Sequence, residues 1–362
     1  MKNFCLVWLL VFTIFLPSVC DAVISEKLLN EAGLQTVWQS AIPLNPPSRT
    51  NPKEKVEKIT VLGNYLYILT NSNYLFCLDR HTGRLSFAAA AAEPKMPVFE
   101  PADYNGIAYL IAANNVIAVD VEKGAELYRH KIPFSVSAAA AVNADYLYIP
   151  GTDKRLHITD VNGRFQRFKV GSSNDASAVT GVIATDKFAI FTTKAGNVIC
   201  MNPSEPKRLW QFDAVDAVTA LPVIVQNWLY VGSKDTNLYK LDTGSGEMIW
   251  KFYAGSVLDT SARATETIVY QYAINKGLYA IDANSGKQIW LLPDGIDLLA
   301  QNGNTVYVFE KTNICTVMDN KQAKKIYTIN FAPVTTFAAN VYDDKIYIME
   351  DKNISCIGPK VK

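Results

Sequence analysis

Histidines are the side chains best suited to metal binding or proton transfer, and the three histidines of this chain are far apart in the sequence. His81, His130 and His157 do not stand at the short spacings that bring ligands to one metal ion. The sequence also has no Gly-rich phosphate loop, no nucleophile elbow and no His-Glu-x-x-His motif. We therefore expect ordinary surface or strand histidines, no metal or cofactor site, and no catalytic residue of these classes.

Four cysteines follow the first 22 residues, at Cys77, Cys200, Cys315 and Cys356. Three of them, Cys77, Cys200 and Cys356, each stand two residues before the end of a short apolar segment, where related segments have alanine. Small buried residues suit that position, so the spacing predicts free, buried thiols. Disulfides remain conceivable in an exported chain, and Cys77 with Cys356 is the pair that the order of the segments would bring together.

A turn residue recurs with a period close to 40 residues, at the end of each such apolar segment, and it is Asp in six of eight cases. The positions are Asp79, Asp120, Asp160, Asn202, Asp242, Asp282, Asp319 and Gly358. Asp bonds readily to its own backbone two residues further on, and a glycine often follows, which suits a hairpin turn. The recurrence therefore predicts structural turn residues and not catalytic acids.

An aromatic residue stands eight positions after each of the first seven turn residues. This column consists of Phe87, Tyr128, Phe168, Trp210, Trp250, Trp290 and Tyr327. A second column lies 11 or 12 residues before the turns and consists of Tyr67, Tyr109, Tyr148, Ile190, Tyr230, Tyr270, Tyr307 and Tyr347. Aromatic residues make up 11% of the chain, so columns this regular indicate an internal repeat.

Each repeat contains four segments with the alternation of β-strands. The first is rich in small residues, as in Ser137 to Val142, Ser177 to Val182, Val218 to Val225 and Ser261 to Ala264. Small side chains suit the innermost strands that crowd around a common axis. Four antiparallel strands per forty residues predict an all-β fold, an eight-bladed β-propeller in which the outer-strand aromatics are structural.

The two ends of the chain complete each other. The eighth repeat stops shortly after Gly358, without its fourth strand, whereas residues 33–42 near the N-terminus read like the end of a repeat, with Trp38 in the aromatic column. We therefore expect residues 33–42 to pair with the last blade and close the ring, which leaves no open edge between first and last blades. Residues 43–58 are expected to form a loop into the first blade.

The N-terminal residues predict export. Lys2 precedes an apolar run from Phe4 to Leu16, which is too short to span a membrane and is typical of a signal peptide. Small residues favour cleavage after Ala22, so we expect a signal peptide at 1–22 and a single propeller domain at 23–362. The residues before Cys20 also resemble a lipobox, which makes Cys20 a candidate lipidation site.

The charge balance points away from nucleic acids. The chain has 35 Lys and Arg against 34 Asp and Glu, a formal net charge of +1, without a basic patch. We expect protein partners in the cell envelope, no nucleic acid, no transmembrane segment, and a monomer outside its complex.

The segments Leu238 to Trp250 and Leu278 to Trp290 resemble the repeat of the PQQ-like β-propeller family. That family includes quinoprotein alcohol dehydrogenases and the smaller BamB-like outer-membrane lipoproteins, which help to deliver and fold β-barrel proteins. The dehydrogenases imply adjacent cysteines and a tryptophan platform in a loop. This chain has no adjacent cysteines, and its Trp210, Trp250 and Trp290 fall in the structural column.

The BamB-like subgroup is therefore the closer match in size and layout. It predicts a non-catalytic scaffold that binds proteins during outer-membrane protein assembly, in the periplasm or on the periplasmic face of the outer membrane. A PQQ-dependent redox enzyme is one alternative, with the near-axis acids Asp175, Asp216 and Asp259 as its first candidates. A secreted or surface propeller that binds carbohydrate or protein is the other.

Overall fold

A computed structural model describes residues 24–45, 53–162, 164–172 and 177–360 of the 362-residue chain. The signal peptide expected at 1–22, the lipidation candidate Cys20 and the near-axis candidate Asp175 lie outside the described residues. The described part contains no helix of the length and apolarity that crossing a membrane requires.

The β-strands form eight antiparallel sheets of four strands each. Helix α1 (Glu26–Glu31) and strand β1 (Leu34–Ala41) come first in the chain. Blade 1 consists of β2 (Val56–Leu62), β3 (Tyr65–Thr70), β4 (Tyr74–Asp79) and β5 (Leu85–Ala90). Blade 2 consists of β6 (Ala102–Tyr104), β7 (Ile107–Ala112), β8 (Asn115–Asp120) and β9 (Ala125–Lys131). Blade 3 consists of β10 (Ala141–Val142), β11 (Tyr146–Pro150), β12 (Leu156–Asp160) and β13 (Gln166–Val170). Blade 4 consists of β14 (Val179–Ala184), β15 (Ala189–Thr193), β16 (Asn197–Met201) and β17 (Arg208–Asp213).

The second half of the ring repeats this order. Blade 5 consists of β18 (Val223–Val225), β19 (Trp228–Gly232), β20 (Asn237–Asp242) and β21 (Met248–Tyr253). Blade 6 consists of β22 (Arg263–Ala264), β23 (Ile268–Ala273), β24 (Gly277–Asp282) and β25 (Gln288–Leu292). Blade 7 consists of β26 (Gly295–Asn302), β27 (Thr305–Glu310), β28 (Ile314–Asp319) and β29 (Lys324–Asn330). Blade 8 consists of β30 (Val334–Ala338), β31 (Ile346–Glu350) and β32 (Asn353–Pro359), and β1 is its fourth strand.

The predicted eight-bladed propeller, closed by the N-terminal strand, is confirmed. Strand β1 runs antiparallel to β32, from the pair Leu34 with Pro359 to the pair Ala41 with Asn353. Gly358, expected in a turn, instead lies inside β32 opposite Gln35, because the fourth strand of this blade comes from the other end of the chain. The loop expected at 43–58 also ends earlier, since β2 begins at Val56 and includes Lys58.

Helix α1 has no counterpart in the sequence prediction. It is six residues long, and its Leu29 is buried in a cluster with core residues of blades 7 and 8. Just before it, the Ile24 amide donates to the buried carboxylate of Glu350 at 2.8 Å. These contacts fix the chain ahead of β1 against the blade that β1 completes.

Apolar residues are buried chiefly between neighbouring blades. All eight residues of the tyrosine column are buried there, including Ile190 in blade 4. Side chains alternate between the two faces of each strand, so each blade contributes one apolar face to each neighbour. The core is thus a ring of inter-blade layers, and the two layers on either side of blade 8 are completed by α1 and β1.

Candidate functional site

The first strands of the blades bring charged side chains to the axis at one level of the ring. Lys58 on β2 pairs with Glu100, which leads into blade 2. Arg263 on β22 binds Asp297 on β26 through two hydrogen bonds, of 3.0 and 2.8 Å. We call Lys58, Glu100, Arg263 and Asp297 the axial girdle.

The charges of this girdle act across the axis. The pKa of Lys58 is lowered, chiefly by burial and then by the positive charge of Arg263. These residues stand in blades 1 and 6, so they influence each other only because both project inwards. Within the described residues no three His, Cys, Asp or Glu side chains converge on a point, so the girdle offers charged hydrogen bonds and no ligand cluster.

Sequence reasoning missed the girdle. Arg263 lies within the run from Ser261 to Ala264, for which the sequence predicts only a strand of small residues, and Lys58 lies in the segment predicted to be a loop. The expected near-axis acids Asp216 and Asp259 are exposed in connections between blades. The nearest signal in the sequence is that Arg263 opposes a tyrosine of the column, Tyr270, where six of the other seven blades place alanine, valine or threonine and blade 4 an isoleucine.

The turn acids bind their own hairpins. The Asp242 carboxylate accepts hydrogen bonds from the amides of Gly244 and Ser245 and from the Ser245 hydroxyl, at 2.8 to 3.0 Å. Bonds to the Ser245 amide and hydroxyl lower the pKa of Asp242. The same arrangement holds at the other turns, in which Asp79, Asp120, Asp160, Asn202, Asp282 and Asp319 each accept at least one backbone amide.

The aromatic column joins each blade to the next. The indole nitrogens of Trp210 and Trp250 donate to the carbonyls of Thr243 and Ala283, each directly after the turn acid of the following blade, at 2.9 and 3.1 Å. Trp290 donates instead to the Asn320 side chain, at 2.8 Å. Tyr128 bonds the Val161 carbonyl, whereas Phe87, Phe168 and Tyr327 form no such bond.

Ring closure repeats this bond. The Trp38 indole donates at 3.1 Å to the carbonyl of Arg80, which follows the turn of blade 1. The ring of Trp38 also covers Gly83, which has a φ of +69°, and a Cβ there would lie 2.4 Å from it. Both the conformation and the contact require glycine at this turn.

All four cysteines of the described chain are free and buried. Burial raises the pKa of Cys200 to about 12, and it is also the largest cause of the rise to about 12 for Cys77 and Cys356. Cys77 and Cys356 do not form the disulfide that the order of the blades allowed.

We predict that these thiols are unreactive in the folded protein, because the thiolate is the nucleophile and burial disfavours it. A chain starting at Val23, which lacks Cys5 and Cys20, should release almost no chromophore from an aromatic disulfide reagent at pH 8. The same chain in denaturant should react at four thiols. Stoichiometric labelling of the native protein would contradict the burial.

The histidines lie apart. His157 is buried, stacks on Phe134 with ring centroids 3.7 Å apart, and contacts Gln166 and Asp153 at 3.0 Å. His130 stacks on Tyr128, and His81 lies in the first turn of the ring. Each histidine therefore lies in its own surroundings, apart from the other two.

Three exposed apolar side chains lie at the ends of blade 5, Val215 and Leu221 in the connection that leads into it and Tyr253 at the end of β21. Val215 is 90% exposed, Tyr253 72% and Leu221 41%. We call these three residues the blade 5 patch. The carboxylate of Asp235 accepts the Val215 amide at 3.0 Å, which fixes the backbone and leaves the valine side chain in solvent.

The fold and these surfaces define a β-propeller that presents rigid loops around a charged axis. A family model described as "Outer membrane protein assembly factor BamB" matches residues 27–252 and 194–332. The chain belongs to this family, and its repeat is the PQQ-like one that the sequence predicted.

Solved structures agree on the fold. BamB from Moraxella catarrhalis is 13% identical to this chain. The match has a TM-score of 0.69 and covers 91% of this chain and 98% of that one. The computationally designed Ika8 protein is 15% identical, with coverage of 88% of this chain and 98% of that one and a TM-score of 0.67. A comparison with curated protein sequences finds no match.

Proposed function

We propose that the protein is a non-catalytic scaffold of the cell envelope that binds other proteins and takes part in the assembly of outer-membrane proteins. The observation that carries the proposal is the blade 5 patch, in which Val215 and Tyr253 are exposed far beyond what packing requires. Exposed apolar side chains on a rigid frame with a polar surround are typical of protein contact sites. The family of the chain supports the assembly role.

Two features support binding over turnover. The charged side chains at the axis neutralise one another in pairs, Lys58 with Glu100 and Arg263 with Asp297. The patch is also held in place, because Asp235 fixes the Val215 amide and accepts the hydroxyl of Tyr239 at 2.7 Å. A surface fixed before contact binds a partner with little loss of conformational entropy.

The proposal includes export. Residues 1–22 act as the signal peptide, residues 23–362 form the propeller domain, and Cys20 is the residue that would carry a lipid anchor. Mass spectrometry of the protein from a membrane fraction would find a diacylated N-terminal Cys20 if the chain is anchored, or an N-terminus at Val23 if it is free.

Site-specific photocrosslinking in intact cells tests the partner. A photoreactive amino acid at position 215 or 253 should crosslink to envelope proteins that assemble the outer membrane. The matched control is position 165, because Phe165 is 66% exposed and lies in a hairpin on the opposite face of the ring. Equal crosslinking from all three positions, or none from 215 and 253, would contradict the proposed surface.

We predict that Val215→Glu reduces capture of that partner at least tenfold and leaves the melting temperature within about 2 °C of the parent chain. The side chain packs against almost nothing, so its replacement removes little folding energy. Phe165→Glu should leave capture unchanged. A Val215→Glu protein that binds normally would show that the patch is not the contact.

A further inference from the structure

The interface between blades 1 and 2 lacks a pair of rings that two other interfaces contain, those between blades 4 and 5 and between blades 5 and 6. Phe212 of blade 4 packs on Tyr239 of blade 5 with centroids 5.0 Å apart, and Phe252 packs on Tyr279 at 5.1 Å. Each phenylalanine stands two residues after the column aromatic, and each tyrosine three residues before the turn acid. In blades 1 and 2 those positions are Ala89 and Ile117.

The missing rings leave space. A cavity of about 70 Å³ lies beside Ala89, Leu110 and Ile117. A larger cavity of about 240 Å³ lies nearer the axis, between Leu69, Val98 and Phe99. Leu75 and Pro101 line both cavities, so the two adjoin. We call the pair the blade 1–2 cleft.

A buried hydroxyl without a partner lies in the wall of the larger cavity. In blades 3 and 8 the column tyrosines donate to the next blade, Tyr148 to the Pro203 carbonyl at 3.1 Å and Tyr347 to the Arg80 carbonyl at 3.4 Å. The hydroxyl of Tyr67 lies beside the thiol of Cys77, a weak acceptor, and finds no other partner among the described residues. An unpaired buried hydroxyl costs about 1 to 3 kcal/mol. Of these three column tyrosines, Tyr67 therefore has the least favourable surroundings.

The corresponding carbonyl of blade 2 is already occupied. Ser86 donates its hydroxyl to Val121, the residue after the turn acid Asp120. Phe87, next to Ser86, carries no donor of its own. Between blades 1 and 2 the Val121 carbonyl therefore has a donor in Ser86, whereas the Tyr67 hydroxyl has no acceptor among the described residues except the Cys77 thiol.

The axial end of the cleft carries a solvent-exposed ion pair. Lys58 and Thr60 line it together with Glu100, and the side chains of Lys58 and Glu100 are 53% and 41% exposed. A pair this open to solvent contributes little and is readily separated. The guanidinium of Arg263 is close enough to Lys58 to act on its charge. A ligand carboxylate that replaces Glu100 keeps Lys58 paired.

We propose that the blade 1–2 cleft binds a small amphiphilic carboxylate. Its aromatic ring or short alkyl chain lies between Leu69, Leu75 and Phe99, and its carboxylate takes the place of Glu100 beside Lys58. The cavity holds about ten non-hydrogen atoms, so the dissociation constant for such a ligand is on the order of 1 mM. This site is separate from the blade 5 patch and does not depend on the partner proposed there.

Ligand titration with 3-phenylpropanoate tests the site, followed by calorimetry and by the melting temperature. The acid should bind one to one and raise the melting temperature by about 2 to 4 °C at ten times its dissociation constant. Its uncharged amide and the ringless propanoate should each bind at least tenfold more weakly. Equal binding of the amide would overturn the role of the anion, and equal binding of propanoate that of the apolar walls.

Variants locate the ligand. Lys58→Gln should weaken the acid at least fivefold and the amide not at all, whereas Ala139→Phe, which places a ring in the larger cavity, should abolish binding of both. Lys55→Gln, a neighbouring exposed lysine outside the cleft, is the control and should bind like the parent chain. A folded Ala139→Phe protein that still binds the acid, or no binding to the parent chain at all, would overturn the proposal.

Discussion

A chain that begins at Ser48 is expected to aggregate, or to melt at least 15 °C below a chain that begins at Val23. It loses α1 and β1, and with them the fourth strand of blade 8. The backbone of β32 then presents a row of unpaired donors and acceptors from Asn353 to Pro359, which is the kind of edge that recruits other chains.

The loss is large because closure acts at two interfaces at once. Leu34 and Leu29 are buried in the cluster between blades 7 and 8, and Trp38 packs on the cluster between blades 8 and 1. The bond from Trp38 to the Arg80 carbonyl, the link that blades 4 and 5 also make, is lost as well. No remaining strand replaces these contacts.

Two controls separate closure from simple truncation. A chain that begins at Gly33 keeps β1 and loses only α1, so it should melt between the other two. In a second chain, residues 33–45 are moved behind Lys360 through a short turn. The amide of Lys360 bonds the carbonyl of Gly33 at 2.8 Å, so the moved strand can reach its place as an ordinary hairpin.

The rearranged chain should recover most of the lost melting temperature. Equal melting of the Ser48 chain and the full-length fold would exclude closure as a source of stability. Failure of the rearranged chain to recover, with the Gly33 chain stable, would place the stabilisation in the connection itself and not in the strand.

The blades were predictable because the sequence repeats the two local features that each blade depends on, the turn acid and the outer aromatic. A turn acid needs its own amides, as Asp242 shows, and an outer aromatic needs a neighbouring blade to cover it, as Trp250 does. The turn acid recurs in six of the eight blades and the outer aromatic in all eight, counting Trp38, so both stand out against the variation of the strands. Closure was predictable for the same reason, since the last repeat lacks a part that the N-terminus has.

The proposed binding surfaces follow no such rule. In the sequence Val215 is one valine among many, and only the structure shows that its amide donates to Asp235 and that its side chain lies in solvent. The cleft arises from absence, because Ala89 reads as an ordinary strand residue and becomes informative only beside the rings of Phe212 and Phe252. Helix α1 could not be predicted from the sequence, because its one buried leucine, Leu29, gives no periodic pattern.

The second large effect is expected at Trp290. Its side chain is 4% exposed, its ring packs on Tyr270 with centroids 5.9 Å apart, and its indole nitrogen donates to Asn320. Asn320 is itself buried and donates to the Tyr270 hydroxyl at 2.7 Å. Truncation therefore removes a large apolar surface and leaves a buried amide oxygen without its partner.

We predict that Trp290→Ala lowers the free energy of unfolding by about 3 to 5 kcal/mol, as for other buried aromatics, with the unpaired amide pushing it towards the upper end. Trp290→Phe keeps one aromatic ring and loses the hydrogen bond and the rest of the indole, so it should cost less, about 1 to 3 kcal/mol. Denaturant unfolding of the three proteins at one pH measures both steps. If Trp290→Ala were as stable as the parent chain and instead lost binding of a ligand, the tryptophan column would be a binding site and its assignment to the links between blades would be wrong.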